Sequence, residues 1–271
     1  MLKAIARRAL PAGVRQAVGH WLRVSRDAQP AMPTSYGYEV AEPGVVLEPL
    51  LGWHDDAVAQ RQDAMYRALI QQMYLGQPRE DLLVAAEAIR CTGLESPSIL
   101  EVGCGSGYYS EILSHVLRHP VRYVGLDYSQ TMIRLARERH ADLPFLVADA
   151  TALPFTDGSF DIILNGVSLM HILRYEAAIA ESRRVAHRWC IFHTVPVLQR
   201  RDTTFLRKKA YGQPTIEIIF NEEALLSLLV RCGLFVRHVL DSIPYNLEAA
   251  LGEPTVTKTY VCEVRSCGTS T

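Results

Sequence analysis

The chain is expected to fold as an α/β protein built on a doubly wound, mostly parallel sheet of seven strands. Three observations predict this class. Beyond Ser96, short apolar runs at 98–102, 121–126, 144–147, 160–164, 188–194, 234–240 and 257–264 are separated mostly by stretches of helical pattern, the alternation that builds parallel sheets. The first of these runs ends in a glycine-rich turn, S98-ILEVGCGSGYYSEIL, the place where open α/β sheets bind ligands. Finally, 271 residues with 49% hydrophobic composition and a net charge of -1 suffice for a full core and carry no general signature of nucleic-acid binding or disorder. The last run, TVTKTYVCEV, follows no clear helix and is expected to be an antiparallel edge strand.

Ahead of the sheet the chain divides into two parts. Residues 1–52 are a basic amphipathic segment followed by an arm. Lys3, Arg7, Arg8, Arg15, Arg23 and Arg26 occur without one acid up to residue 26, and Leu2, Ile5, Leu10, Val14, Val18, Trp21 and Leu22 recur at near-helical intervals. Peripheral contact of residues 1–26 with a membrane surface is one expectation, and a helix packed on its own domain is the other. Pro30, Pro33, Pro43 and Pro49 with Gly37, Gly44 and Gly52 then read as an extended arm. Residues 53–96 form a helical cap of two helices broken near Gly76 and Pro78, and residues 97–271 form the main domain. No apolar run reaches the roughly 20 residues that a spanning helix needs. The six cysteines show no metal-type spacing, so a reducing cytoplasm is the expected location, with the inner membrane surface as the place of any peripheral contact.

The glycine turn narrows the ligand. A dinucleotide fingerprint needs a third small residue where this chain has Tyr108, and Glu101 lies close to where a pyrophosphate would sit. A cationic ligand reverses that argument. S-adenosylmethionine carries a sulfonium and an α-ammonium, which an acid beside bare backbone favours. Asp127 ends the second strand at a spacing suited to ribose hydroxyls, and Asp149 ends the third where an adenine amine could donate.

Over roughly residues 97–265 the chain resembles the class I SAM-dependent methyltransferases, which have a Rossmann-like fold. LEVGCGSG, GLDYSQTMI, VADATALPFTDGSFDIIL and ESRRV carry the likeness, in order. The resemblance implies that Gly103, Gly105 and Gly107 border the methionine moiety, Asp127 the ribose, and Asp149 with Ala150 the adenine. Tyr128 and Met132 would flank the ring, and Asn165 would lie near the amino-acid end. A weaker likeness, to bacterial methyltransferases of surface-polysaccharide synthesis, implies a sugar hydroxyl of a glycan or nucleotide sugar as acceptor. Another small molecule, such as a quinone or natural product, is the alternative. An NAD-dependent oxidoreductase and a non-catalytic SAM-fold binding protein are the readings from other classes.

Methyl transfer to a hydroxyl needs in-line positioning and a proton acceptor. The candidate bases follow the fourth and fifth strands: His193 in CIFHTVPV and His171 in NGVSLMHIL. No acidic cluster follows those strands, so no metal is expected. An insertion at about 196–220 carries Arg200, Arg201, Arg207, Lys208 and Lys209, candidates for a phosphate on the acceptor. Tyr211, Gly212, Gln213 and Pro214 are expected to form a lid-like turn within it, and Asn221 to cap the following helix.

Overall fold

The computed structural model describes residues 38–41, 53, 55–118, 120–210 and 212–265. The basic segment 1–26, most of the arm, Tyr211 and Cys267 lie outside the described residues. Among those described, no helix is long and apolar enough to cross a membrane.

Two helices come first. α1 (Asp56–Tyr74) starts at Asp55, whose carboxylate accepts the N–H groups of Ala57 (2.7 Å) and Val58, and α2 (Glu80–Arg90) follows the Gly76–Pro78 break. A side-chain cap of this kind contributes about 1 kcal/mol. Then come β2 (Ser98–Val102), α3 (Tyr108–Leu117), β3 (Arg122–Asp127), α4 (Gln130–Arg139), β4 (Phe145–Val147) and β5 (Phe160–Gly166), with β1 being the short Glu39–Val40 that precedes them all. A 3-10 turn (Leu169–His171) leads to α5 (Tyr175–Val185) and the long β6 (Ala186–Leu198). β7 (Thr204–Ala210), β8 (Gln213–Asn221), α6 (Glu222–Arg231), β9 (Leu234–Asp241), α7 (Glu248–Leu251) and β10 (Val256–Val264) complete the chain.

All seven expected strands are present, in the order β4-β3-β2-β5-β6-β10-β9, with β2, β3, β4, β5 and β6 parallel. β2 and β5 are mostly apolar because both faces are covered, with Glu101 in β2 and Asp161 and Asn165 in β5 as the charged or amide exceptions. Leu100, Val102 and Ile163 pack with Ile179 of α5 and Leu229 of α6. On the opposite face Ile99, Ile162 and Leu164 pack with Ala86 and Ile89 of α2 and Leu113 of α3.

One expectation is corrected. β10 is antiparallel, but it is not an edge strand: it lies between β6 and β9, and β9 forms the edge. Burial gives the reason, since Tyr260, Val261 and Cys262 are all fully buried, which only a strand paired on both sides allows without orphaning backbone groups.

The insertion is also more regular than a lid. β7 and β8 form an antiparallel hairpin, and β1 pairs with β7. β5 pairs with β6 as far as Gly166 opposite His193; β6 continues, and from Val197 opposite Phe220 it pairs with β8 instead. β8 thus takes over the edge of β6 that β5 leaves, and the hairpin stands as a wall beyond the carboxyl ends of the parallel strands. Thr194, at φ 54°, marks the bend in β6. As expected, Asn221 caps α6, its Oδ1 accepting from Ala224 N–H at 3.0 Å.

Candidate active site

The glycine turn runs from the end of β2 into α3. Gly103, Gly105 and Gly107 all have positive φ, at 76°, 55° and 80°. Two of them also lack room for a side chain: a Cβ on Gly103 would lie 2.4 Å from Ser168 Cβ, and one on Gly107 2.7 Å from the Phe145 ring. Backbone conformation and close approach both demand glycine here. Asp127, at the end of β3, holds the turn from the side, with Gly105 N–H donating to Oδ2 and Ser129 N–H donating to Oδ1, both at 2.9 Å.

Glu101 is fully buried one strand residue before the turn. The Tyr123 hydroxyl donates to its Oε2, while Oε1 has no partner. Burial pushes its carboxyl well above the usual carboxylate range, against the Tyr123 hydrogen bond and assisted by the charge of Asp127. Gly166 makes room for that carboxylate, since a Cβ there would lie 2.6 Å from Oε1.

The remaining residues expected around the donor are spread along the same rim. Tyr128 follows Asp127 and is exposed. Met132, at the first turn of α4, is buried against Ala59 of α1, Leu135 and Trp53, so α1 covers it. Asp149 is exposed and closes its own loop, accepting from Thr151 N–H (2.8 Å) and Thr151 Oγ1 (2.9 Å), with Ala150 half-buried beside it. Asn165 is fully buried; its Nδ2 donates to Ser182 Oγ at 3.2 Å, and its Oδ1 has no partner.

The two histidines differ in what their ring nitrogens meet. His193 is buried and hydrogen-bonded at both: Nδ1 to Thr259 Oγ1 (2.8 Å) and Nε2 to Thr194 Oγ1 (3.0 Å), which in turn meets Ser242 Oγ at 2.8 Å. The ring of Tyr109 stands edge-on to it at 5.6 Å. His171 fills the gap between the end of β5 and the hairpin. Its Nδ1 lies 2.7 Å from the carbonyl of Ile216, an acceptor only, so Nδ1 carries the proton and Nε2 keeps its lone pair. Trp53 lies against the ring, with centroids 5.3 Å apart. Burial, with the Lys208 charge behind it, lowers His171 to about 4, and burial, opposed by the Asp81 charge and helped by Arg79, lowers His193 to about 4.

The basic insertion is partly self-paired. Lys208 pairs with buried Glu217, to which Tyr245 also donates its hydroxyl. Arg201 donates to the Leu251 carbonyl at 2.5 Å, and Arg200 leans on Glu253 at 3.6 Å. Among the described residues, no group of three or more His, Cys, Asp or Glu could hold a metal ion.

Sequence reasoning overlooked Gln62. It lies on α1, half-buried, with Oε1 buried, without a partner among the described residues, and 3.2 Å from where a Cβ on Gly105 would stand. A polar residue on an amphipathic helix gave no sign of this, because only the docking of α1 brings it over the turn.

Residues 100–192 match the family model described as a methyltransferase domain. Over 74 residues the chain is 45% identical to phthiotriol/phenolphthiotriol dimycocerosates methyltransferase of Mycobacterium tuberculosis, covering 27% of each protein. It is 39% identical over 94 residues to fatty-acid O-methyltransferase of Mycolicibacterium smegmatis, 34% of each. The match thus spans about a third or less of these relatives' length. The crystal structure of 1,6-didemethyltoxoflavin-N1-methyltransferase from Burkholderia thailandensis, with 1,6-didemethyltoxoflavin and S-adenosylhomocysteine bound, superposes with a TM-score of 0.54 at 14% identity, over 86% of this chain and 98% of that one. The fold is therefore the Rossmann-like α/β fold of that methyltransferase structure, and residues 100–192 match a methyltransferase domain.

Proposed function

We propose that the protein is a SAM-dependent methyltransferase acting on a hydroxyl oxygen, with His171 as the general base. The observation that carries this reading is the pairing of an under-donated glycine turn with a histidine whose Nε2 is not engaged by the described residues. The residues fit S-adenosylmethionine. Glu101 Oε1 and Gln62 Oε1 are buried without a donor among the described residues, which suits a ligand that brings an ammonium. Asp127 would hold the ribose hydroxyls, and the glycine turn the amino-acid end. When bound, S-adenosylmethionine supplies a methyl group already activated on a sulfonium.

The chain's own contribution is to position the acceptor and remove its proton. His171 is held in one tautomer by Ile216 and stays neutral down to mildly acidic pH, so Nε2 takes the hydroxyl proton as the oxygen attacks. His193 has hydroxyls on both nitrogens and serves to join the bend of β6 to β10.

The acceptor reading follows from the wall around the base. Trp53 beside His171 offers an aromatic face, on which a sugar ring or a planar ring can lie. Lys208 is paired with Glu217, and Arg201 is bonded to the backbone. An unphosphorylated hydroxyl acceptor, such as a glycan sugar, therefore fits better than a nucleotide sugar. The relatives, named for a lipid and a fatty acid, match only 74 and 94 residues. Incubation with labelled S-adenosylmethionine and a panel of glycans, nucleotide sugars, fatty acids and quinols tests the reading. Label in unphosphorylated hydroxyl compounds supports it; label only in nucleotide sugars, or on nitrogen or carbon, overturns it.

A further inference from the structure

We propose that Gln62 is a donor-binding residue that recognises the α-ammonium of the donor's amino-acid end, so that α1 closes on the cofactor through this one side chain. The inference rests on the donor assigned above.

Three observations support it. Gln62 Oε1 is buried and unpartnered directly over Gly105, and an amide oxygen in that state is costly unless a ligand supplies the donor. Gly105 is also the residue whose N–H is engaged by Asp127, so that N–H is not offered to Gln62. Finally, α1 and the residue ahead of it, Trp53, are held in place by contacts that do not involve the Gln62 side chain. Ser129 Oγ donates to the Trp53 carbonyl (2.6 Å), Thr131 Oγ1 and Arg134 both donate to Asp56 (2.8 and 3.1 Å), and Arg139 donates to buried Asp63 (2.9 Å). Every one of these ties α1 to α4 or the loop before it, the element that also follows the ribose acid. The helix is thus docked by its neighbours while Gln62 is left with an unmet valence, the arrangement expected of a residue waiting for a ligand rather than of one that packs the helix.

The test compares two ligands that differ in the amino-acid end. S-adenosylhomocysteine has it; 5′-methylthioadenosine does not. By calorimetry, Gln62→Leu should weaken S-adenosylhomocysteine binding about 10- to 100-fold, the loss typical of one hydrogen bond to a charged group, and leave 5′-methylthioadenosine within about 2-fold. Gln62→Glu, which keeps an acceptor, should retain S-adenosylhomocysteine binding within about 3-fold. Unchanged binding of S-adenosylhomocysteine to Gln62→Leu overturns the proposal, and so does an equal loss for both ligands, which would mark a packing role. Wild-type protein that binds neither ligand would instead sink the donor assignment itself.

Discussion

In the proposed site, a ligand would meet backbone at the end of β2, whereas at the end of β6 it would meet side chains on an added wall. The donor end is made by Gly103, Gly105 and Gly107 in left-handed conformation, steadied by one carboxylate, Asp127. The acceptor end is made by a strand that overruns its neighbour, a bend at Thr194, a hairpin that replaces β5 as partner, and a histidine bonded to that hairpin. The first design tolerates almost no change in local geometry. The second lets chemistry be reset by exchanging the wall.

The sharpest way to break this comparison is at the two histidines. His171→Ala should lower turnover by about 10²- to 10⁴-fold with donor affinity unchanged, the range expected for loss of a general base. The acid limb of the rate profile should fall at about pH 4, because burial holds the imidazole deprotonated and activity is lost only as pH drops through that value. His193→Ala should do the reverse: it removes a buried, doubly bonded ring and should cost about 1–3 kcal/mol of stability while leaving turnover within about tenfold. Thermal denaturation and initial rates on both variants distinguish the roles; a catalytic collapse confined to His193→Ala would reverse the assignment.

Next in size is Gly103→Ala. The new Cβ meets Ser168 Cβ at 2.4 Å in a backbone held at φ 76°, and Ser168 cannot retreat without releasing the bond its hydroxyl donates to the Val102 carbonyl. We expect a loss of about 3 kcal/mol in stability and of measurable S-adenosylhomocysteine binding. The same change at Gly158, whose nearest neighbour lies 3.7 Å away, should leave binding intact and cost only the backbone strain of its positive φ.

These contrasts also explain what was readable in the sequence. The seven strands were, because short, mostly apolar runs alternate with helical patterns along the chain, and so was the donor turn, because glycines at fixed spacing follow directly from backbone geometry. The place of β10 was not: the run TVTKTYVCEV is the same whether its second neighbour is β9 or solvent. Nor was the β7–β8 hairpin, whose Lys208 and Arg207 read as a basic, solvated segment until Glu217 across the hairpin is seen to neutralise Lys208. His171 and His193 were equal as letters. Only the Ile216 carbonyl, 45 residues from His171, and Thr259, 66 residues from His193, separate them.

Glu101 provides a smaller test, of donor electrostatics. Its raised pKa means that the unliganded protein prefers the carboxyl protonated. Stability is then greatest at low pH and is lost as pH rises above the unfolded value of an ordinary carboxylate toward the folded one. A bound cation favours the ionised form, so donor binding should release a proton, and affinity should rise with pH until the folded pKa is passed. Glu101→Gln should make the unliganded protein more stable near neutral pH, weaken S-adenosylhomocysteine about tenfold, and abolish the pH dependence of binding. Calorimetry in two buffers of different ionisation enthalpy measures the proton directly; no release by the wild type would place Glu101 outside the ligand's field.

The smallest effect is expected where the two halves are strapped together. Arg134 bonds Asp56 at 3.1 Å with side chains 55% and 63% exposed, and water and salt screen such a pair to between 0 and about 1 kcal/mol. Arg139–Asp63, with the aspartate buried, carries more of the docking of α1. Arg134→Ala should therefore change donor affinity by about 2-fold at most, and the difference should vanish in high salt. A loss of more than about tenfold that persists in salt would mean that α1 depends on its exposed pairs to stay over the glycine turn. Donor and acceptor halves would then be joined by surface charge rather than by the buried contacts of Ala59, Met132 and Asp63.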